Sequence, residues 1–385
     1  MADDSSSRIL PGATLGVLGS GQLGRMFAMA ATRLGYRVRV YAPEHDAPAA
    51  DVCWRQSVGA FEDVAAVSEF AASVAVVTLE FENIAPIATE TAGRHAPVRP
   101  SGFVLHTVQD RLREKRFLER IGVPCSPFAE ATTTADLAAA IPAVGLPAVL
   151  KTAAWGYDGK GQSLVRSPED AAAAHAVLGG QPCILEGFVD FQCELSMLVA
   201  RSPAGEMASF GPVANDHADH ILDVSTFPDP SLAPFAPAAT EIATTIAHQL
   251  DAVGLLCVEF FLTRDGRLLV NEIAPRPHNS GHLTIDACRT SQFEQQVRAV
   301  CNLPLGSFEP LVGGASMANL LGDLWSPGEP DWPEVLADPQ LRLHLYGKTS
   351  ARPGRKMGHL TALAADADAA RAAAIAGRRR LRVGR

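Results

Sequence analysis

Residues 258–272, VEFFLTRDGRLLVNE, place two apolar runs on either side of Asp265 and Gly266. Apolar runs flanking an Asp-Gly pair predict a β-hairpin, and a two-residue turn at that pair sets Glu259 directly opposite Glu272. Carboxylates so opposed would lie roughly 5 Å apart at Cβ and repel one another. A bound Mg2+ removes the repulsion, because it takes hard oxygen ligands, commonly one or two carboxylates together with nucleotide phosphates. The competing expectation is that each acid pairs with a nearby arginine, and Arg264 and Arg276 are available for that. Asn271 falls on the opposite face under strict alternation, so it reaches the pair only where the strand is bulged.

Past Glu272 the chain runs into NEIAPRPHNSGHLT (271–284), which carries Arg276, His278, Asn279 and two prolines directly behind an apolar strand. A core segment is not composed this way. Upstream, VLKTAAWGYDGKGQ (149–162) has Lys151 at a strand end with Gly156, Gly159 and Gly161 behind it. Such a glycine-rich loop offers backbone N–H groups to phosphates, with a cation at its base, although a ligand-free flexible hairpin fits the same residues. The Walker pattern GxxxxGK[ST] is absent. PCILEGFVDFQCELSM (182–197) bears Glu186 and Glu194 on strands, where carboxylates can accept hydrogen bonds from ribose hydroxyls and the backbone at 187–189 can read an adenine edge. A fourth motif, Gly19-Ser20-Gly21-Gln22-Leu23-Gly24, is a GxGxxG between a strand and a helix. It admits a dinucleotide, another ligand or a tight turn alone. The dinucleotide reading lacks an acid at the tip of the second strand, since Glu44 and Asp46 lie beyond a proline.

The chain has 385 residues, 47% hydrophobic and 19% charged, and a net charge of −9. That length predicts two or three domains with ample core, and that charge leaves no broad basic surface for a nucleic-acid backbone. The acidic, serine-rich start and the lack of a run of about 18 apolar residues predict a cytoplasmic protein without membrane contact. Seven cysteines with no CxxC pair predict free thiols. The order strand, glycine turn, helix, strand over residues 13 to about 100 predicts a parallel-sheet α/β unit. A charged helix at DRLREKRFLERIGVP then opens an α+β region, with strands near 147–152, 162–166, 182–189, 193–201, 206–213, 255–263 and 267–273, a helix at 237–253, and a loop at FPDPSLAPFAP (227–237). The last segment carries strands at ASMANLLG, LRLHLYGK and MGHLTAL before an Ala-rich helix.

GQLGRM, TLEFENI, DRLREK, GYDGKGQ, NEIAPRPHNSGH, SQFEQQVRA and RPGRKMGHL occur in the order found in the 5-(carboxyamino)imidazole ribonucleotide synthases of the ATP-grasp superfamily. The chain resembles that family from about residue 13 to about residue 365. The resemblance implies an ATP-grasp fold of mixed α/β and α+β class: an N-terminal Rossmann-like domain over 1–110, an ATP-grasp domain over 111–310 and a small β-rich C-terminal domain over 311–385. It places Arg111, Lys115, Lys151, the loop Gly156, Tyr157, Asp158, Gly159, Lys160, Gly161 and Gln162, Glu186, Gly187, Phe188, Val189, Glu194, His217 and Asn271 around ATP. Glu259 and Glu272 correspond to magnesium ligands, Glu272 also touching the nucleotide. Gly21, Gln22, Leu23, Glu80, Tyr157, Asp158, Lys348 and Arg355 correspond to the ribonucleotide side, and Arg276, His278, Asn279 and Lys348 to catalytic positions. The implied substrates are aminoimidazole ribonucleotide, bicarbonate and ATP, in a homodimer. Residues 1–12 and the basic close RRRLRVGR lie outside the pattern. The rival expectations are another ATP-grasp ligase, such as a formate-dependent glycinamide ribonucleotide transformylase or a biotin carboxylase, and a dinucleotide-dependent oxidoreductase.

Overall fold

The computed structural model describes residues 7–45, 47–154, 161–326 and 328–381. Among these residues the strands form three sheets. The first holds β1 (Thr14–Leu18), β2 (Arg37–Ala42), β3 (Arg55–Val58) and β4 (Val76–Leu79) in the order β3-β2-β1-β4, all parallel. The second holds β5 (Phe128–Ala131), β6 (Ala148–Thr152), β7 (Gln162–Val165) and β8 (Cys183–Gly187), antiparallel in the order β5-β8-β6-β7. The third holds β9 (Phe191–Arg201), β10 (Met207–Ala218), β11 (Ile221–Phe227), β12 (Gly254–Thr263), β13 (Leu268–Ala274), β14 (Gly314–Leu321), β15 (Leu341–Leu345) and β16 (Lys356–Ala364). Its order is β13-β12-β9-β10-β11-β14-β16-β15, so the C-terminal strands extend the central sheet across residue 310.

That continuity depends on β11, a strand absent from the sequence-based expectation. Ala218 and Ile221 are paired across a two-residue turn whose residues, Asp219 and His220, have φ of 49° and 63°. Two left-handed residues in succession make the hairpin turn that usually shows itself as Asn-Gly; here no glycine marks it. The proline-rich stretch expected as a loop carries a short 3-10 turn at Pro230–Phe235. The cysteines at all seven positions are free thiols.

The hairpin that decides the fold is built differently from the expected one, with the same result at its functional end. Its turn has three residues, Arg264, Asp265 and Gly266: Leu262 pairs with Leu268, the Thr263 N–H donates to the Arg267 carbonyl at 2.9 Å, and Gly266 takes φ +82°. The register shifts back at Asn271, so that Phe260 pairs with Val270 while Glu259 pairs with Glu272. Extra turn residue and bulge cancel. Leu256, Val258 and Phe260 of β12 point into an apolar core with Leu195, Met197, Val199 and the helix Ala236–Gln249, leaving Glu259 for the other face. On β13 the core residues are Leu268, Val270 and then Ile273. This one-residue slip puts Asn271 and Glu272 side by side on the face of Glu259.

β13 is an edge strand, and the segment before β5 covers its open side. The helix Arg111–Arg120 is capped by Asp110, whose side chain accepts from the Arg113 N–H at 2.9 Å. It buries Leu112, Phe117 and Leu118 together with two charged residues, Glu114 and Lys115. The Lys115 ammonium donates to the carbonyls of Val270 and Asn271 at 3.1 and 2.8 Å, Glu114 accepts from the Ile273 N–H at 3.2 Å, and the Val270 N–H reaches the Pro124 carbonyl at 2.8 Å. The bulged edge is thus hydrogen-bonded on both sides.

Candidate active site

The three sheets enclose a cleft of about 1090 Å³. A pocket for a single drug-sized ligand occupies roughly 300–1,000 Å³, so this one has room for more than one substrate. One half is walled by Phe188, Phe191 and Phe261, the last two stacked with ring centroids 4.8 Å apart. Around that apolar wall lie Lys151, Gln162, Glu186, Gly187, Val189, Glu194 and His217. Glu194 and His217 are joined by a 2.5 Å contact between Oε2 and Nδ1. Burial disfavours the His217 imidazolium, and the Glu194 carboxylate outweighs that and raises its pKa.

Glu186 is almost fully buried. Its Oε2 accepts from Ser126 Oγ and Lys151 Nζ, both at 3.1 Å, and lies 3.8 Å from Lys115. Burial alone would push its pKa up, but Lys115, Lys151 and Arg111 overcome this and hold it down at about 2. Glu186 Oε1 is buried with no partner among the described residues. An unmatched acceptor at the floor of an aromatic-walled pocket fits a ligand with hydrogen-bond donors, such as a nucleoside. The Gly187 and Phe188 N–H groups are taken by the carbonyls of Pro127 and Pro147, so they are not free for an adenine edge.

The carboxylate pair stands beside this half. Glu259 lies 3.0 Å from His278 Nε2 and Glu272 3.2 Å from Arg111, partners other than Arg264 and Arg276. Burial works against charge on Glu259 and His278 alike, yet each stabilises the ionised form of the other, so the acid is held down and the imidazole up. Two acids in register with an adjacent Asn271 carbonyl-bearing side chain form a hard-oxygen donor set that suits Mg2+ beside nucleotide phosphates.

The other half is lined by Gln22, Leu23, Glu80, Arg276, His278 and Asn279. Arg276 grips Glu82 through two bonds, 2.5 and 3.0 Å long. Burial opposes the Glu82 charge and Arg276 outweighs it, so the pair stays ionised. Glu82 was not singled out from the sequence, although its spacing from Glu80 in TLEFEN could have drawn attention to it. Lys356 and His282 also line the cleft.

Several expected residues sit elsewhere. Lys115 stands behind the wall, its ammonium on backbone carbonyls and not on the cleft surface. The GxGxxG turn holds a carboxylate of the chain itself: Glu80 accepts from the Gly21 N–H at 2.7 Å and the Gly24 N–H at 3.0 Å. A Cβ on Gly19 would lie 2.2 Å from Glu80 Cγ, and one on Gly21 2.6 Å from Glu80 Oε1. The glycines therefore admit Glu80 where a dinucleotide would place its pyrophosphate. Gly161, with φ +73°, packs on Thr152 outside the cleft wall. Lys348 donates to the Lys356 carbonyl at 2.7 Å, and Arg355 to the Ser350 carbonyl at 2.7 Å; neither forms part of the wall. Gly156, Tyr157, Asp158, Gly159 and Lys160 lie outside the described residues.

Three family models match the chain: a ribonucleotide synthetase preATP-grasp domain over residues 12–109, an ATP-grasp domain over 116–293, and a phosphoribosylaminoimidazole carboxylase C-terminal domain over 315–373. An N5-carboxyaminoimidazole ribonucleotide synthase of Brucella melitensis is 44% identical over 353 residues, covering 91% of this chain and 96% of the relative. Among solved structures, an ADP complex of an N5-carboxyaminoimidazole ribonucleotide synthetase superposes with a TM-score of 0.91 at 39% identity, covering 97% of this chain and 98% of the other. The Aspergillus clavatus N5-carboxyaminoimidazole synthase in complex with ADP and 5-aminoimidazole ribonucleotide superposes with a TM-score of 0.85 at 31% identity, covering 96% and 97%.

The buried Glu186 charge has a measurable consequence. A carboxyl whose folded pKa lies below its unfolded value of 4.5 contributes stability that is complete above that value and lost as pH falls towards the folded value of about 2. Denaturation midpoints should decline in that acid window, and Glu186→Gln should flatten part of the decline. An acid limb identical in the two proteins would show that the surrounding cations do not hold this charge.

Proposed function

Because the chain belongs to the N5-carboxyaminoimidazole ribonucleotide synthase family of the ATP-grasp superfamily, we propose that it carboxylates the exocyclic amine of 5-aminoimidazole ribonucleotide, using ATP and bicarbonate, in de novo purine synthesis. On this reading bicarbonate is phosphorylated to carboxyphosphate, which breaks down to CO2 and phosphate, and the amine captures the CO2 as a carbamate. The observation that carries the proposal is the two-part cleft, with an aromatic, lysine-floored half joined by the Glu259–Glu272 pair to a half built on Arg276, His278 and Asn279.

The aromatic half suits the adenosine, with Glu194 turned towards a ribose and Lys151 and Arg111 towards the phosphates. Glu259, Glu272 and Asn271 would hold Mg2+, which when bound neutralises charge on the phosphoryl oxygens. Arg276, kept in place by Glu82, presents a cation to bicarbonate, with the Asn279 amide beside it and the His278 ring, held between Glu259 and Ser280, lining the same half. Lys348 and Arg355 we assign to the 5′-phosphate of the ribonucleotide: burial raises the Glu80 pKa and Lys348 is near enough to oppose that shift, and Gly347 packs beside Arg25 near the start of the helix Gln22–Arg33. We assign the protein to the cytosol as a homodimer, as the family resemblance implies. No helix among the described residues is long and apolar enough to cross a membrane.

Phosphate release from ATP in the presence of Mg2+ and bicarbonate should rise markedly when aminoimidazole ribonucleotide is added. Turnover indifferent to that ribonucleotide but responsive to glycinamide ribonucleotide and formate would move the protein to the rival ligase class. Glu272→Gln should lower turnover by at least ~100-fold in a folded protein, the scale of losing one preorganised electrostatic element. Full Mg2+-dependent turnover in that variant would remove Glu272 from the metal site. Arg355→Ala should raise the KM for the ribonucleotide ~10-fold and leave that for ATP nearly unchanged, and the reverse pattern would assign this loop to the nucleotide half.

A further inference from the structure

Asn279 stands in the cleft wall, but the direction of its amide is decided outside the cleft. The segment after β13 carries Asn279, His282 and Asp286 at three- and four-residue spacings, as on one face of a helix. Each meets one member of a row running across β14, β16 and β15, where Asn319 is in register with His359 and His359 with His344. Asn279 and Asn319 exchange two amide hydrogen bonds, of 3.1 and 2.6 Å. The rings of His282 and His359 lie 5.1 Å apart, and His344 Nε2 is 2.8 Å from Asp286 Oδ2. Asn319 and His359 are fully buried.

The Nδ2 of Asn319 also donates to the Leu222 backbone carbonyl at 2.7 Å. A carbonyl only accepts, so this bond fixes which end of the Asn319 amide is nitrogen. With that end fixed, Asn319 presents one N–H and one oxygen to Asn279, and a flipped Asn279 would set donor against donor and acceptor against acceptor. The pair uses one of the two N–H groups of Asn279. Its second N–H lies outside the pair, on a residue of the cleft wall.

Building on the function proposed above, we propose that Asn319 is a positioning residue for the carboxylation half of the site. It transmits the polarity of the Leu222 carbonyl to Asn279, so that Asn279 presents an N–H to an acceptor atom of the bound ribonucleotide or of the group added to it. Asn319 touches no substrate itself.

The test is a mutant cycle of Asn319→Ala, Asn279→Ala and the double variant, with the wild type in parallel. For Asn319→Ala, kcat/KM for aminoimidazole ribonucleotide should fall ~10-fold while the KM for ATP stays within about twofold of wild type. The double variant should be no more than about twofold worse than Asn279→Ala, because the second change removes nothing further. If Asn319→Ala does not fold, Asn319→Ser, which loses less volume but still removes the amide, should give the same pattern. Wild-type kcat/KM in the Asn319 variant, a fully additive loss in the double variant, or an equal loss on the ATP side would each overturn the positioning role. A wild type that does not use the ribonucleotide would overturn the functional reading itself, and this inference with it.

Discussion

The ammonium group of Lys115, buried against the open edge of β13, holds together the elements that shape the cleft. An edge strand leaves a row of unpaired backbone groups, and a bulge weakens its hold on the one neighbour it has. Lys115 bonds the carbonyls of Val270 and Asn271 at the bulge, and Glu114 bonds the Ile273 N–H two residues on. The same ammonium lies 3.8 Å from Glu186 of β8, so one buried charge connects the second sheet to the third where the two meet around the aromatic half of the cleft. Breaking a buried charge pair by removing one partner costs about 3–5 kcal/mol, and here Lys151, 3.1 Å from the same Glu186 oxygen, shares the pairing. The order of consequences is clear: edge clamp, bulge, carboxylates in register.

Much of this was legible in the sequence, though not always by the route the structure takes. The opposition of Glu259 and Glu272 followed from assuming a two-residue turn, and it holds because a three-residue turn and a bulge shift the register in opposite senses. Alternation alone cannot detect a bulge; strict alternation puts Asn271 on the opposite face, and the bulge that brings it to Glu259 is visible only in the register. β11 escaped because Asp219 and His220 adopt left-handed conformations without glycine to announce them. Lys115 carries the charge of a phosphate ligand, but charge says nothing about burial, and the backbone carbonyls it satisfies belong to a strand 155 residues away. Asn319 gave no signal at all, since its role arises from a register between β14 and β16 and from a contact with a distant loop.

The continuous eight-stranded sheet explains how a small C-terminal segment bears on chemistry carried by residues before it. Strands β14, β16 and β15 form the rigid floor on which the 279–286 segment is seated, through one amide pair, one ring contact and one imidazole–carboxylate bond. Buried polar groups cost desolvation where a partner is missing, so loss of the Asn279–Asn319 or His344–Asp286 contact disfavours a misaligned loop.

The glycine turn near the N-terminus carries a different implication. A helix start with free N–H groups behind a GxGxxG attracts any phosphate, and cells contain abundant nicotinamide and flavin nucleotides. Here the Glu80 carboxyl fills the turn, accepting from the Gly21 and Gly24 N–H groups. An incoming pyrophosphate would find its space filled and its donors occupied. The domain thus keeps the backbone path of a dinucleotide binder while being insulated from competition by the redox cofactor pool, and the turn serves to fix Glu80 at the mouth of a cleft devoted to other ligands.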